Sequence, residues 1–267
     1  HLYLKKLRSS LYVLKASSGP LFCINSHSFF PRKIQFFIFL CPSLQYVHYL
    51  CPKMKLMDLS IVENTIKALK NNNFEVFPAA NTEEARAIFF KEIFAVLQPA
   101  TVSWGDSQTL ESTRILSELE KNPEVTLIRT FGAGMSRTQK IYWRRQALLS
   151  DLFLAGTNAI TQKGQLVNLD MMGNRVGGIT FGPEHVVLFI GINKIVPDLE
   201  TAMQRIRTWT APQNILRHEG FNTPCRKTGT CMDCRSPHRI CNTWTITEKS
   251  WPAGRINIIL IKEESGI

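Results

Sequence analysis

The sequence predicts an α/β fold, with a mainly parallel sheet flanked by helices, on two observations. From residue 58 onward, stretches with a helical repeat of apolar residues alternate with short β-branched runs, and polar loops rich in Gly, Asn and Asp follow those runs. With 44% hydrophobic residues among 267, the chain can bury a core of ordinary size. The same composition excludes a coiled coil, a collagen-like rod and a disordered chain.

Residues 58–72 form the first expected helix, with Ile61, Val62, Ile66 and Leu69 on one stripe and Asn71-Asn72-Asn73 ending it. A short strand follows over 74–77. Thr82 is the expected N-cap of a helix over 83–97, in which Ala85, Ile88, Phe89, Ile93 and Val96 recur at helical spacing. Residues 101–104 are a buried strand stopping at Gly105, and another helix follows Ser107. Strands are expected over 125–130, 152–155, 165–169 and 185–190, and a helix over 137–150 with Arg137, Lys140, Arg144 and Arg145 on a basic outer face. Asp198 caps a further helix that Ala211-Pro212 ends. Residues 214–242 are expected to be an irregular, cysteine-rich C-terminal loop, and strands over 243–247 and 256–261 close the chain. With no internal repeat and no long linker, residues 56–267 make one domain.

The net charge of +11 would by itself suggest a nucleic-acid or membrane partner. Residues 1–55, however, hold eight basic side chains and no acidic one, which leaves 24 basic against 21 acidic in the rest. The body is close to neutral, so neither partner is expected. In residues 1–55 the apolar stretch 34–40 is interrupted by Gln35 and stops at Cys41-Pro42, too short for a span and without a cleavage site. Met54 and Met57 stand just before the first helical pattern. Residues 1–55 are therefore expected to lie outside the fold, as translated upstream sequence or a remnant, with an amphipathic or targeting extension as the alternative.

Several familiar fingerprints fail. Gly132-Ala133-Gly134 begins like a dinucleotide-binding turn, but the sixth position is Arg137. Gly105-Asp106-Ser107-Gln108-Thr109 lacks the last glycine of a nucleophile elbow, and His218-Glu219 lacks a second histidine. No P-loop, nicotinamide or flavin fingerprint is present.

The sharpest chemical feature is Cys225-x5-Cys231-x2-Cys234-x6-Cys241. Four soft ligands so close together suit a tetrathiolate metal site, and Arg226, Lys227, Arg235 and Arg239 interleave with them to balance its negative charge. The spacing is compatible with zinc and with an iron–sulfur cluster; His238 is read as a solvated neighbour, with a substitute ligand as the alternative. Two disulfides or four free thiols are the bland alternative; the odd total of seven cysteines weighs against complete pairing.

A second feature is a series of polar groups at the carboxyl ends of strands, where open α/β sheets bind ligands. It comprises Trp104-Gly105-Asp106-Ser107, Gly156-Thr157-Asn158, Asn168-x-Asp170, Gly173-Asn174-Arg175 and Gly191-Ile192-Asn193-Lys194. Asn158, Asn174, Arg175 and Asn193 are candidate ligand-binding residues, Arg175 because its planar fork fits a carboxylate or phosphate. Asp170 as a base and Lys194 as a point charge are the candidate catalytic pair. Against this, Asn and Asp beside Gly ordinarily serve turns, and a lysine after a strand is ordinarily solvated. His185 and His218 are taken as structural.

The strings Gly156-Thr157-Asn158-Ala159-Ile160-Thr161, Gly164-x-Leu166-Val167-Asn168-x-Asp170, Gly173-Asn174-Arg175-Val176, Phe181-Gly182-Pro183 and Gly191-Ile192-Asn193-Lys194 together resemble the lactate-utilisation (LUD) domain family. Thr223-Pro224-Cys225, Lys227-Thr228-Gly229 and Ser236-Pro237-x-Arg239-Ile240-Cys241-Asn242 resemble its stand-alone, cysteine-bearing branch. The chain departs from the family at Met171-Met172, where glycines are common, and at Asp106. The resemblance implies a fold similar to the deaminase, isomerase and CoA-transferase group in a bacterial, cytoplasmic protein. It also implies a link to the conversion of L-lactate to pyruvate alongside iron–sulfur electron-transfer subunits. The expected ligand is a small 2-hydroxy or 2-keto acid. The alternatives are a transferase-type domain that binds a phosphorylated or CoA-linked metabolite beside a structural zinc, and a non-catalytic subunit that scaffolds electron-transfer partners.

Overall fold

The computed structural model describes residues 2–6, 11–16, 22–25, 59–132 and 134–267. The chain divides into two compact units, His1–Met57 and Asp58–Ile267. In the first, β1 (Leu2–Lys6), β2 (Leu11–Ala16) and β3 (Phe22–Asn25) form an antiparallel sheet in chain order. Met54, Met57 and most of residues 1–55, on which the expectation of an extension rests, lie outside the described residues.

The second unit is built on a six-stranded sheet. Its strands are β4 (Glu75–Ala79), β5 (Thr101–Trp104), β6 (Thr126–Ile128), β7 (Leu152–Ala155), β10 (His185–Gly191) and β13 (Ile256–Ile261). They run in the order β4-β13-β10-β7-β5-β6, and every pairing is parallel. The central strands read as nearly continuous apolar runs because both of their faces are covered, and all six residues of β13 are buried, Asn257 among them. One core joins Val187, Phe189, Ile259 and Ile261 of the sheet to Phe89, Ile93, Leu110, Ile115 and Leu119 of the helices before and after β5.

The helix after β4 starts one residue earlier than expected. Its N-cap is Asn81, not Thr82, because the extended Asn81 side chain accepts the Glu84 N–H at 2.9 Å. The helix widens to a π turn over Phe89–Phe94 before ending at Leu97. Ser107 and Asp198 cap their helices, accepting from Leu110 N and Thr201 N. Ala211-Pro212 does not end the helix begun at Leu199. A π turn over Ile206–Thr210 carries the chain into a helix over Ala211–Leu216, with Pro212 in its first turn, where no N–H is required. Residues 214–242 also contain a short helix, Pro224–Thr228.

A second sheet escaped the sequence reading. It consists of β8 (Ala159–Thr161), β9 (Leu166–Asp170), β11 (Ile195–Val196) and β12 (Thr243–Thr247), in the order β11-β8-β9-β12. β11 and β8 pair in parallel, and the other pairs are antiparallel. Its core contains Ala159, Val167 and Val196 against Ala202 and Ile206. The chain leaves the parallel sheet from the neighbouring strands β7 and β10 and enters β8 and β11, which are also neighbours. The two crossing loops, 156–158 and 192–194, are thereby brought to one junction. Among the described residues no helix is long and apolar enough to cross a membrane.

Candidate functional site

At this junction lies a cavity of about 750 Å³. It takes Asp106 and Ser107 from the end of β5, Gly156, Thr157 and Asn158 from the β7–β8 crossing, Asp170 from β9, Asn174 and Arg175 from the following helix, and Lys194 from the β10–β11 crossing. Most of the strand-end residues singled out in the sequence thus share one space.

Asn193 does not line it: its Nδ2 donates to Gly266 O at 3.2 Å and its Oδ1 accepts from Ser265 N, so the side chain holds the segment after β13. Trp104 packs against the sheet core.

The floor of the cavity is a closed network. Gly173, at φ 86°, turns the chain into the helix Asn174–Thr180, which places Arg175 in the first turn with its stem against Gly105. A Cβ on Gly105 would meet Arg175 Cγ at 2.9 Å, so the glycine makes room for the arginine. Arg175 Nη1 donates to Gly156 O (2.9 Å) and Asn168 Oδ1 (2.6 Å), Nη2 to Asn158 Oδ1 (3.0 Å), and Nε to Asp170 Oδ1 (3.2 Å). Four of its five N–H groups are therefore spent on protein acceptors. The guanidinium thereby ties the 156–158 crossing loop to β9.

Asn158 belongs to the same tie: its Oδ1 also accepts Leu169 N, and its own N–H goes to Asn168 Oδ1. Asp170 is engaged at both oxygens, by Arg175 and by Gly173 N at 3.1 Å. Each oxygen carries one of these bonds and keeps a further lone pair.

Lys194 is different. It is 5% exposed, and its Nζ donates to Thr109 Oγ1 at 2.9 Å, with no carboxylate within ion-pair distance among the described residues. Burial, reinforced by the positive charges of Arg205 and Arg175, pulls its pKa down to about 7. Burial thus disfavours its ammonium form.

The opposite wall comes from the helix Arg137–Gln146, which is held at its start by a capping box between Ser136 and Gln139. Arg137, Lys140 and Arg144, expected on an outer face, line the cavity instead. Arg144 stacks on Phe131 at 5.4 Å and touches Met172 Sδ at 3.1 Å. Its Nε is buried without a partner among the described residues. Burial lowers its pKa, partly offset by Asp170.

Further along the rim, Arg217 grips Asp106 through Nη2 at 2.9 Å and Nη1 at 3.3 Å, and His218 lies 3.9 Å from Asp106. Burial pushes the His218 pKa down despite that carboxylate. Arg205, which sequence reasoning missed, donates to Asn158 O at 3.0 Å and Thr210 Oγ1 at 2.7 Å. The lining holds six cationic side chains (Arg137, Lys140, Arg144, Arg175, Lys194 and Arg217) against the carboxylates of Asp106, Asp170 and Glu219. Such an excess gives the concave space a positive local potential.

Cys225, Cys231, Cys234 and Cys241 are partly buried free thiols and line a second, small void of about 20 Å³. Burial pushes the Cys241 thiol up, against the pull of Arg239. Of the interleaved cations, Arg226 caps carbonyls of Ile215 and His218, while Arg239 donates to Cys234 O at 2.7 Å and Cys241 O at 2.9 Å. Arg207, from the preceding helix, reaches Cys231 Sγ at 3.9 Å. His238 faces the large cavity, its Nδ1 accepting Asn222 N at 2.9 Å. Among the described residues, no three His, Cys, Asp or Glu side chains are gathered into a ready-made metal cage.

Comparison with known proteins adds the following. A family model described as the LUD domain matches residues 62–261. Among solved structures, a DUF162 family protein from Deinococcus radiodurans is similar at a TM-score of 0.44 and 10% identity, over 76% of this chain and 98% of that one. No curated protein matches the chain significantly.

Proposed function

The chain belongs to the LUD domain family, which is associated with lactate utilisation, and from that premise we propose that its cavity binds a small 2-hydroxy or 2-keto acid. The observation that carries this reading is Lys194, a buried lysine facing a space of positive local potential with a hydroxyl, not a carboxylate, as its partner. A bound carboxylate would supply the missing counter-charge and hold Lys194 as the ammonium. On this reading Lys194 and Arg144 contact the acid, and the Arg175 tie positions the loop that faces it. Conversion of L-lactate to pyruvate releases two electrons and two protons, and iron–sulfur partner subunits would accept the electrons.

Calorimetric titration of L-lactate and pyruvate tests the proposal. One of them should bind, and Lys194→Met should weaken it by roughly tenfold or more, the scale of a hydrogen bond to a charged group. Absence of binding by either acid refutes it. The volume of about 750 Å³ favours a second reading, a larger phosphorylated or CoA-linked anion spanning from Lys194 to Arg137 and Lys140. Tighter binding of a phosphorylated sugar or CoA thioester than of either acid would establish that reading instead.

A further inference from the structure

We infer that Cys225, Cys231, Cys234 and Cys241 are the four ligands of a single zinc ion that clasps one wall of the anion cavity. The four thiols come from a 17-residue stretch, yet they do not disperse: all line the same void. The void is small in this conformation, about 20 Å³. Four thiolates around one tetrahedral ion are the standard closed coordination of zinc.

The surroundings suit the charge such a centre would carry. Four thiolates and one divalent ion sum to a double negative charge, and Arg207 and Arg239 stand beside them, both joined to Asp233 at 3.1 and 2.8 Å. Arg239 also bridges the backbone carbonyls of Cys234 and Cys241, which fixes the spacing of two ligands from outside. Thr223 Oγ1 lies 3.2 Å from Cys225 Sγ. Between Cys225 and Cys234 the chain turns twice through the left-handed region, at Gly229 (φ 70°) and Asp233 (φ 44°).

The thiols are not drawn into a cage in this conformation, so ion binding must close the segment. In closing, four thiols lose four protons as four metal–sulfur bonds form. The consequence reaches the large cavity, because Ile240 lines both spaces and Phe221, Pro237 and His238 line the larger one. The site itself stands whether or not that cavity binds the acid proposed above.

The test is metal analysis of the full chain purified under reducing conditions without chelator. One zinc per chain is expected, falling by at least half in each of Cys225→Ser, Cys231→Ser, Cys234→Ser and Cys241→Ser. Should these variants fail to fold, titration of the chelator-treated wild type with Co(II) reads the ligand set directly: intense thiolate-to-metal and tetrahedral ligand-field bands saturating at one equivalent are expected. Limited proteolysis within residues 222–242 should slow at least fivefold on zinc addition. A metal-free protein that does not take up Co(II) with those bands, iron with acid-labile sulfide, two mapped disulfides, or full occupancy in Cys225→Ser or Cys241→Ser would each overturn the inference.

Discussion

The floor and the wall of the cavity carry similar arginines with opposite bonding. Arg175, on the floor, has four hydrogen bonds to groups of the β7–β8 crossing and of β9. Arg144, on the wall, has a thioether, an aromatic face and a buried Nε without a partner among the described residues. A cation whose donors are spent within the protein builds the site, and one whose donors are not is available to a ligand. Residue type and proximity to a pocket do not separate the two roles; the acceptor inventory does.

The largest expected effect breaks the floor. Arg175→Met leaves Asp170 without its ion-pair partner and Gly156 O without this donor, which should cost about 3–5 kcal/mol and lower the Tm by on the order of 10 °C. Thermal unfolding followed by circular dichroism reads this directly. A variant with unchanged Tm and lost ligand affinity would place Arg175 with the wall.

The wall should behave the other way. Arg144→Gln is expected to weaken anion binding roughly tenfold to a hundredfold while moving stability by less than about 0.5 kcal/mol. An equal fall in both, measured by calorimetry and thermal unfolding, would erase the distinction.

Lys194 sharpens the comparison through pH. Its folded pKa of about 7 lies below its ordinary 10.5, so between these values the unfolded chain binds the extra proton. Stability relative to Lys194→Met should therefore rise as pH increases from 7 towards 10.5. Affinity for the anion should fall over the same range as the ammonium is lost. Denaturant unfolding of both proteins at pH 6, 7.5 and 9 gives the slope, and a flat difference would mean that Lys194 titrates normally. The smallest effect is expected at the rim, where the partly exposed Arg217–Asp106 pair should lose no more than about 1 kcal/mol in Asp106→Asn.

The distance over which each feature is decided explains how legible it was. The cluster around Gly173-Asn174-Arg175 stood out because a glycine, an amide and a guanidinium in succession mark a sharp turn with a charge. Where the guanidinium points depends on Asn158 and Asn168, whose own positions require the β7–β8 crossing. Arg137, Lys140 and Arg144 looked like a solvated helix face because periodicity reports which residues share a side, not what that side meets. The helix after β4 is capped by Asn81 and not by Thr82 because the chain is extended at Asn81, a backbone angle that the sequence does not display.

By itself the sequence determined the parallel sheet, most of its helices and the presence of two chemical clusters. These depend on local apolar period, local caps and close spacing along the chain. Only the tertiary structure decided the second sheet, because the two- and three-residue strands β11 and β8 are too short to show a period and exist by pairing with each other. It also decided which cations are spent and which remain. Lys194 owes its depressed pKa to burial beside Arg205 and Arg175, none of which its neighbours in the chain reveal. Charge and identity are written residue by residue, but desolvation and hydrogen-bond saturation belong to the assembled fold.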